Sequence, residues 1–216
     1  MSPLVRSAIA ALVLLLTTGC GPTRYTDYDA AGGSAPMLER AVATRIGAGF
    51  YRPPPACAIV MPTAGVATPQ FRRVVEEAVH RHLVTKLPKV VGPRARRREV
   101  RKLAVDPRRA RDRAILTRVL RCPTLVEPKI WQSSEDFALV WSRKSLDLEI
   151  VMVRGDRLLW KARHTADRGD GGLPLSPLSA PLAVAKASRL HGDGDAMVSL
   201  VDDAVRRIVG ALPDVR

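Results

Sequence analysis

The first 52 residues carry little repeating pattern. Residues 8–16, AIAALVLLL, are apolar without a break, whereas 21–52 are polar and rich in Gly and Ala. Within that polar stretch, MLERAVATRI (37–46) has a weak helical period and reads as a short helix or docking segment. Pro53, Pro54 and Pro55 close it, and ACAIVMP (56–62) then reads as a short buried strand bounded by proline. The clearest helix is TPQFRRVVEEAVHRHLVTKL (68–87). Phe71, Val74, Val75, Ala78, Val79, His82, Leu83 and Leu87 fall on one stripe, Thr68 can cap it, and Pro69 suits the first turn. Val90 and Val91 suggest a minor strand. Asp106 and Pro107 repeat the cap-and-proline start, predicting a second helix with Ala110, Ala114, Leu116, Val119 and Leu120 on its inner face.

The period then changes to two. TLVEPKIWQ (124–132) contains Pro128, which predicts an edge strand or two short pieces. FALVW (137–141) reads as a further strand. In SLDLEIVMV (145–153), Leu146, Leu148, Ile150 and Met152 face one way, Asp147 and Glu149 the other. RGDR (154–157) is a turn and LLWKARHTA (158–166) returns, so the two runs form a hairpin. Residues 167–195 read as mostly loop, with a helical piece near 181–190. DAMVSLVDDAVRRIVGAL (195–212) is an amphipathic helix with Val198, Val201, Val205, Ile208, Val209 and Leu212 on its apolar face. This order predicts one packed α/β domain over 53–212: a mixed sheet with helices packed on it, a long antiparallel hairpin and a C-terminal helix.

The start of the chain has a different logic. Arg6, the apolar run, and then Thr17, Thr18 and Gly19 before Cys20 have the n-region, h-region and small-residue order of an export signal. The run is too short to span a bilayer, which needs about 20 residues. It resembles the lipobox of bacterial lipoproteins, in which the cysteine is acylated and becomes the first residue. Gly19 and Cys20 match; Thr17 departs from the usual aliphatic, and Leu16 stands one place too early. The resemblance implies a signal peptide over 1–19 and lipidation of Cys20; the polar, Gly- and Ala-rich stretch that follows reads as a flexible tether over 20–52. Gly21 in place of Asp implies sorting to the outer membrane.

The order of motifs after Pro55 resembles periplasmic lipoproteins related to the curli secretion protein CsgG, and most nearly a small outer-membrane lipoprotein family first noted in Neisseria. The residues that carry this are Trp131 in KIWQ, the hairpin with Gly155, Asp156, Leu159 and Trp160, and the Val- and Ala-rich final helix. The resemblance implies a three-layer domain like that of CsgG, the N-terminal domain of TolB and the lipoprotein activator of peptidoglycan synthase. The pore of CsgG is not implied: its long added hairpins of alternating residues have no counterpart in the Pro-, Gly- and Ser-rich 167–195.

Composition narrows the chemistry. Aromatic residues make up 4% of the 216, so Val, Leu, Ile and Ala must build the core. Three cysteines are too few for a disulfide scaffold. With Cys20 acylated, Cys57 and Cys122 remain, either bridged in an oxidising compartment or as small buried thiols. His80, His82, His164 and His191 show no HExxH spacing, and HGDGDA (191–196) lacks the oxygens of a calcium loop but suits a helix cap through Asp193 or Asp195. No nucleophile elbow or phosphate loop is present. No catalytic residue, metal or cofactor is therefore expected.

Charge is concentrated. Residues 72–121 hold 17 basic and 5 acidic side chains, close to the whole chain's net +14. The densest run places Arg94, Arg96, Arg97, Arg98, Arg101 and Lys102 on one segment. Nucleic acid is disfavoured by the export signal and by the lack of aromatic residues among the cations. Anionic lipid headgroups, lipopolysaccharide phosphates or an acidic protein are the targets left, beside a merely solvated face. The expectation is a non-enzymatic, lipid-anchored envelope protein that binds an envelope partner or itself in support of secretion or envelope assembly. The alternatives are a regulator of peptidoglycan synthesis, or less readily an enzyme of it, and a carrier of anionic lipid.

Overall fold

A computed structural model describes residues 23–29, 41–138, 141–171 and 179–215. The segment read as a signal peptide, Cys20, and residues 21–22 and 30–40 of the span read as a tether lie outside the described residues. Among the described residues eight strands and five helices follow in chain order: β1 (Arg24–Asp27), β2 (Ala41–Ile46), β3 (Cys57–Val60), β4 (Ala64–Gly65), α1 (Pro69–Leu83), β5 (Lys89–Val91), α2 (Pro93–Leu103), α3 (Ala110–Val119), β6 (Thr124–Ala138), β7 (Trp141–Arg154), β8 (Arg157–Gly171), α4 (Ser179–Gly192) and α5 (Gly194–Gly210). All eight strands join one mixed sheet in the order β1-β2-β8-β7-β6-β3-β5, with β4 alongside β6. Strands β3, β5 and β6 are parallel; β6, β7, β8 and β2 run alternately antiparallel.

The period-two side chains of β3 divide the domain into three layers. Ala58 and Val60 join Val75, Val79 and Leu83 of α1 and Val201, Val205 and Ile208 of α5 in the larger core. Cys57, Ile59 and Met61 join Leu116 of α3 and Val91 in a smaller core on the opposite face, where Ala95 and Val100 of α2 also pack. Sulfur atoms of Cys57 and Cys122 are 2.14 Å apart in that second core, joining the start of β3 to the approach to β6.

Local chemistry explains where the helices begin. Thr68 Oγ1 accepts from Phe71 N at 3.2 Å and Pro69 opens α1. Asp193 caps α5 by accepting from the amides of Asp195 and Ala196. The cap-and-proline start at Asp106 is not realised. Asp106 instead accepts from Arg108 N in a turn, and α3 begins only at Ala110. On α5 the buried stripe runs through Met197, Leu200, Val201, Ala204, Val205, Ile208 and Val209. Val198, expected on that face, is 44% exposed.

Three further segments differ from expectation. Residues 41–46 are a strand, not a helix: β2 pairs antiparallel with β8, burying Ala41 and Val42, and Phe50 is buried just beyond. The folded unit thus starts before Pro53, and β1 pairs with β2 still earlier in the span read as tether. Tertiary pairing overrides a weak local period here. β6 is central, not an edge. Its Pro128 falls between the residues paired with β3 (Leu125, Val126) and those paired with β4 (Lys129, Ile130). Val126 O accepts from Met61 N on that side, so alternation aims the amide-less nitrogen of Pro128 into the gap between two partner strands. Finally, 167–171 continue β8 and 179–192 form α4, so little of the expected loop remains; residues 172–178 are outside the described set. FALVW straddles a strand end, because β6 stops at Ala138 and β7 starts at Trp141, with 139–140 undescribed.

Candidate functional site

The two helical layers do not cover the sheet equally. Helices α1, α4 and α5 lie on one face. On the other, α2 and α3 pack over β3, β5 and the start of β6, Val153 near the end of β7 reaches the edge of that cluster, and none of the described helices packs over the rest of β7, β8 and β2. The antiparallel register brings polar side chains into rows on this open face. Lys129, Glu149 and Arg163 form one row, Glu127, Val151 and Lys161 the next, and Asp147 stands beside Thr165.

A bulge adds an aromatic residue. Ile130 pairs with Leu148 and Gln132 with Asp147, leaving Trp131 as the extra residue of β6. Its ring, 44% exposed, lies beneath Lys129 Nζ at 3.2 Å and within 5.0 Å of the Arg163 guanidinium. Arg163 also grips Asp147 with two hydrogen bonds, at 2.9 and 2.5 Å. That hydrogen bonding raises the Arg163 pKa, so the guanidinium stays charged. Tyr28, just after β1, donates to Glu149 and lies under Lys161 Nζ at 3.4 Å. Burial first, then the Glu149 carboxylate, pushes its phenol up to about 12. Asp29 closes the edge by pairing with Arg45 at 2.8 Å.

A cleft of about 520 Å³ adjoins this network, between the 61–65 segment, the approach to α3 and the strands β6 and β7. Gly65 shapes its wall. With φ at +101° and any Cβ falling 1.8 Å from Ile130 O, only glycine brings β4 so close to β6. Arg72, Arg108, Arg113 and Lys129 line the cleft together with Glu127 and Glu149. Arg113 bonds Glu127, and Arg72 donates to Gly65 O at 2.8 Å. The lining thus holds an excess of positive charge.

The cationic segment on α2 splits. Arg94 and Arg98 are 89% and 73% exposed at the side chain, with Arg101 and Lys102 also at the surface. Arg97 is half-buried, 3.6 Å from Glu76 and 3.7 Å from Glu77. Arg96 is not a surface residue at all. It donates to Val60 O and, at 2.7 Å, to Glu76, which also holds Thr63 N. Burial lowers its pKa while Glu76 opposes the shift. A buried guanidinium cannot meet a headgroup, so Arg96 leaves the expected contact set; it ties α2 to α1 and β3. One position per helical turn faces inward, and residue type alone does not say that it is an arginine.

The histidines are scattered. His82 meets Asp202 at 2.9 Å between α1 and α5, His164 Nδ1 donates to Ala41 O at 2.8 Å, and His191 stacks on Phe137. Among the described residues no group of three or more His, Cys, Asp or Glu is placed to hold a metal, and no helix is long and apolar enough to cross a membrane. The open-face network was missed in sequence, although its signal was present. Asp147 and Glu149 share one side of β7, and Lys161 and Arg163 share the matching side of β8 across a two-residue turn.

What fold and surface define is a three-layer α/β domain with one uncovered, cation- and aromatic-bearing sheet face. No family of known proteins and no curated protein matches the chain. It is similar to solved structures at low identity. The PelC dodecamer of Paraburkholderia phytofirmans is 12% identical, covering 77% of this chain and 94% of that one, with a TM-score of 0.41. Lipoprotein GNA1162 of Neisseria meningitidis is 12% identical over 64% of this chain and 100% of its own, at 0.45. Hypothetical protein CT253 of Chlamydia trachomatis is 10% identical over 72% and 96%, at 0.36. At these TM-scores the likenesses assign no activity, partner or assembly to this chain.

Proposed function

We propose that this chain is a non-enzymatic envelope lipoprotein of the group that includes the CsgG-related and small neisserial lipoproteins. Acylated Cys20 holds it at the outer membrane facing the periplasm, as an adaptor or assembly component in secretion or envelope biogenesis. The observation that carries the binding role is the uncovered sheet face. There Trp131, Lys161 and Arg163 stand with no described helix over them, while the opposite face is sealed in hydrocarbon. Such a surface, with an aromatic residue and arginine at its centre, has the make-up of a binding hot spot. Exposed Arg94, Arg98, Arg101 and Lys102, with half-buried Arg97, offer a second surface to an acidic envelope partner.

Two measurements test this reading. Cells fed labelled palmitate should yield a labelled protein in the outer-membrane fraction, and Cys20→Ser should be unlabelled. Chemical cross-linking in intact cells should then give a defined adduct, to a second copy or to one envelope protein, that Arg163→Glu with Lys161→Glu abolishes. An unlabelled cytosolic chain, or an adduct unchanged by the double variant, overturns it.

A further inference from the structure

Strand β1 fixes where an acyl chain on Cys20 would stand relative to the head. Arg24 pairs with Ala41 in parallel register, and β2 continues into the antiparallel ladder with β8 through Ala43 and Arg163. Extending that ladder by two residues sets Arg24 level with Thr165, hence with Asp147 of β7 and Gln132 of β6. Past this row the three long strands continue without β2 beside them. β6 runs on from Ser133 to Ala138, β7 comes back from Trp141 to Leu146, and β8 runs on from Ala166 to Gly171. These extensions are about six residues each, or about 20 Å at the usual rise of a strand. They point toward the end of the domain at which the chain enters β1.

The entering chain is short. Four peptide steps separate Cys20 from Arg24 and reach at most about 14 Å when fully extended. A lipid on Cys20 therefore holds the start of β1 closer to the bilayer than the hairpin is long. The end of that hairpin is built for the meeting. Phe137 and Trp141, on the two sides of the β6–β7 connection, are 45% and 41% exposed. Phe137 is braced by the stacked His191 ring, 4.5 Å away. Behind them the extension turns polar and is internally paired, with Arg143 near Asp167 at 3.5 Å and Lys144 near Glu135 at 3.5 Å. Asp170 of β8 shares the row of Phe137 and Ser142, so aromatic rings and charges alternate within the first rows, a mixture that suits the shallow lipid interface and not the hydrocarbon core. With charges so close behind the tip and only about six residues in each strand, the extension is short of the 9–11 needed to span a bilayer.

We infer that the β6–β7 end, through Phe137 and Trp141, docks in the interfacial zone of the bilayer that carries the Cys20 lipid, making a second attachment point that fixes the head's orientation. This inference rests on reading Cys20 as the lipidated residue. It gives the head a defined stance in which the open sheet face, running perpendicular to the membrane, is presented sideways to a partner.

The test uses the full lipidated protein, purified from palmitate-fed cells and reconstituted in phosphatidylethanolamine–phosphatidylglycerol vesicles containing acyl-brominated lipid. Tryptophan emission should be quenched by the bromine. Trp141→Phe should remove the quenching, whereas Trp131→Phe, on the open face farther from the tip, should retain it. Circular dichroism confirms that the variants fold, and Phe137→Ser with Trp141 intact should weaken the quenching. A palmitate-labelled, vesicle-bound protein whose quenching is unaltered by Trp141→Phe overturns the inference and leaves the lipid anchor standing. So does a Trp141 emission that shifts with protein concentration but not with brominated lipid, which marks the tip as a contact between copies. A protein without label overturns the anchor and this inference with it.

Discussion

The two faces of the sheet use the same strands for opposite ends. On the helix-covered face, Leu146, Leu148, Ile150 and Met152 of β7 are fully buried among Trp160 and the apolar stripe of α5. On the open face the intervening residues, Asp147, Glu149 and Val151, meet Arg163, Lys161, Lys129 and Trp131. The first face is held by removing hydrocarbon from water, at about 25 cal/mol per Å². The second is held by charge-assisted hydrogen bonds and ring contacts that water and salt partly screen, worth far less apiece. One face is therefore where the fold resides. The other is free to carry recognition without endangering it.

The sharpest way to break that division is Trp160→Ala. Trp160 is fully buried, and its ring Nε1 donates to Thr44 Oγ1 at 3.1 Å. Loss of the indole should cost about 3–5 kcal/mol, as for other buried aromatic truncations, read as a fall in the urea midpoint. Next in size is the second core. Cys57 and Cys122 are 65 residues apart. Replacing Cys122 by Ser should cost about 4 kcal/mol on loop-closure grounds, measured with and without reductant. Reductant should destabilise the parent and leave the variant unchanged.

The cationic helix offers the same contrast within one turn. Arg96→Met removes the nearer of the two arginines on buried Glu76 and should cost about 3 kcal/mol, whereas exposed Arg98→Met should leave the urea midpoint within error. If both arginines proved equally neutral, α2 would not be tied to β3 as described.

Much of this architecture was legible in the sequence, but unevenly. Helix α1 was, because Thr68, Pro69 and an eight-residue stripe agree with one another. So was the β7–β8 hairpin, where strict alternation flanks Gly155, whose φ of +58° suits a tight turn. Strand β2 was not. Its Val42, Thr44 and Ile46 favour a strand, but Ala41, Ala43 and Arg45 between them suit a helix as well, and the choice is made by β8, more than a hundred residues away. Pro128 misled for a related reason: a proline excludes a central strand only where its nitrogen would face a partner, and here two short strands leave a gap. The open-face site was half legible, since charge complementarity across the hairpin is visible from the turn outward. Trp131 was not, because its aim depends on a bulge. Nor was Tyr28, which reaches Glu149 from a segment with no pattern of its own.

Acid should act through the covered face before the open one. His164 sits on β8 at 3% exposure, with Nδ1 donating to Ala41 O. Burial is the main cause holding its pKa below the ordinary 6.5, opposed by that hydrogen bond and helped by nearby Arg207. In the unfolded chain the same imidazole takes up a proton near pH 6.5. Above that pH both states are neutral at this residue and its contribution to stability is complete. As pH falls below about 6.5 the unfolded state binds the proton first, so stability declines until the folded pKa is reached and then levels off. Urea titrations at successive pH values should show this decline, and His164→Gln should flatten it; an unchanged slope in the variant would assign the acid sensitivity elsewhere.

The smallest effect expected is the most informative about division of labour. Asp147 and Arg163 are hydrogen-bonded to each other, yet both keep some contact with solvent. Asp147→Asn keeps the shape and removes the charge. It should shift stability by no more than about 1 kcal/mol, and 1 M salt should shrink that shift further. The same substitution releases Arg163 from its carboxylate and leaves the guanidinium free over Trp131, so cross-linking through this face should change by more than stability does. A loss of 3 kcal/mol or more would instead make the Asp147–Arg163 pair part of the fold's foundation. The open face would then lose its claim to be a surface that recognition can reshape without unfolding the domain.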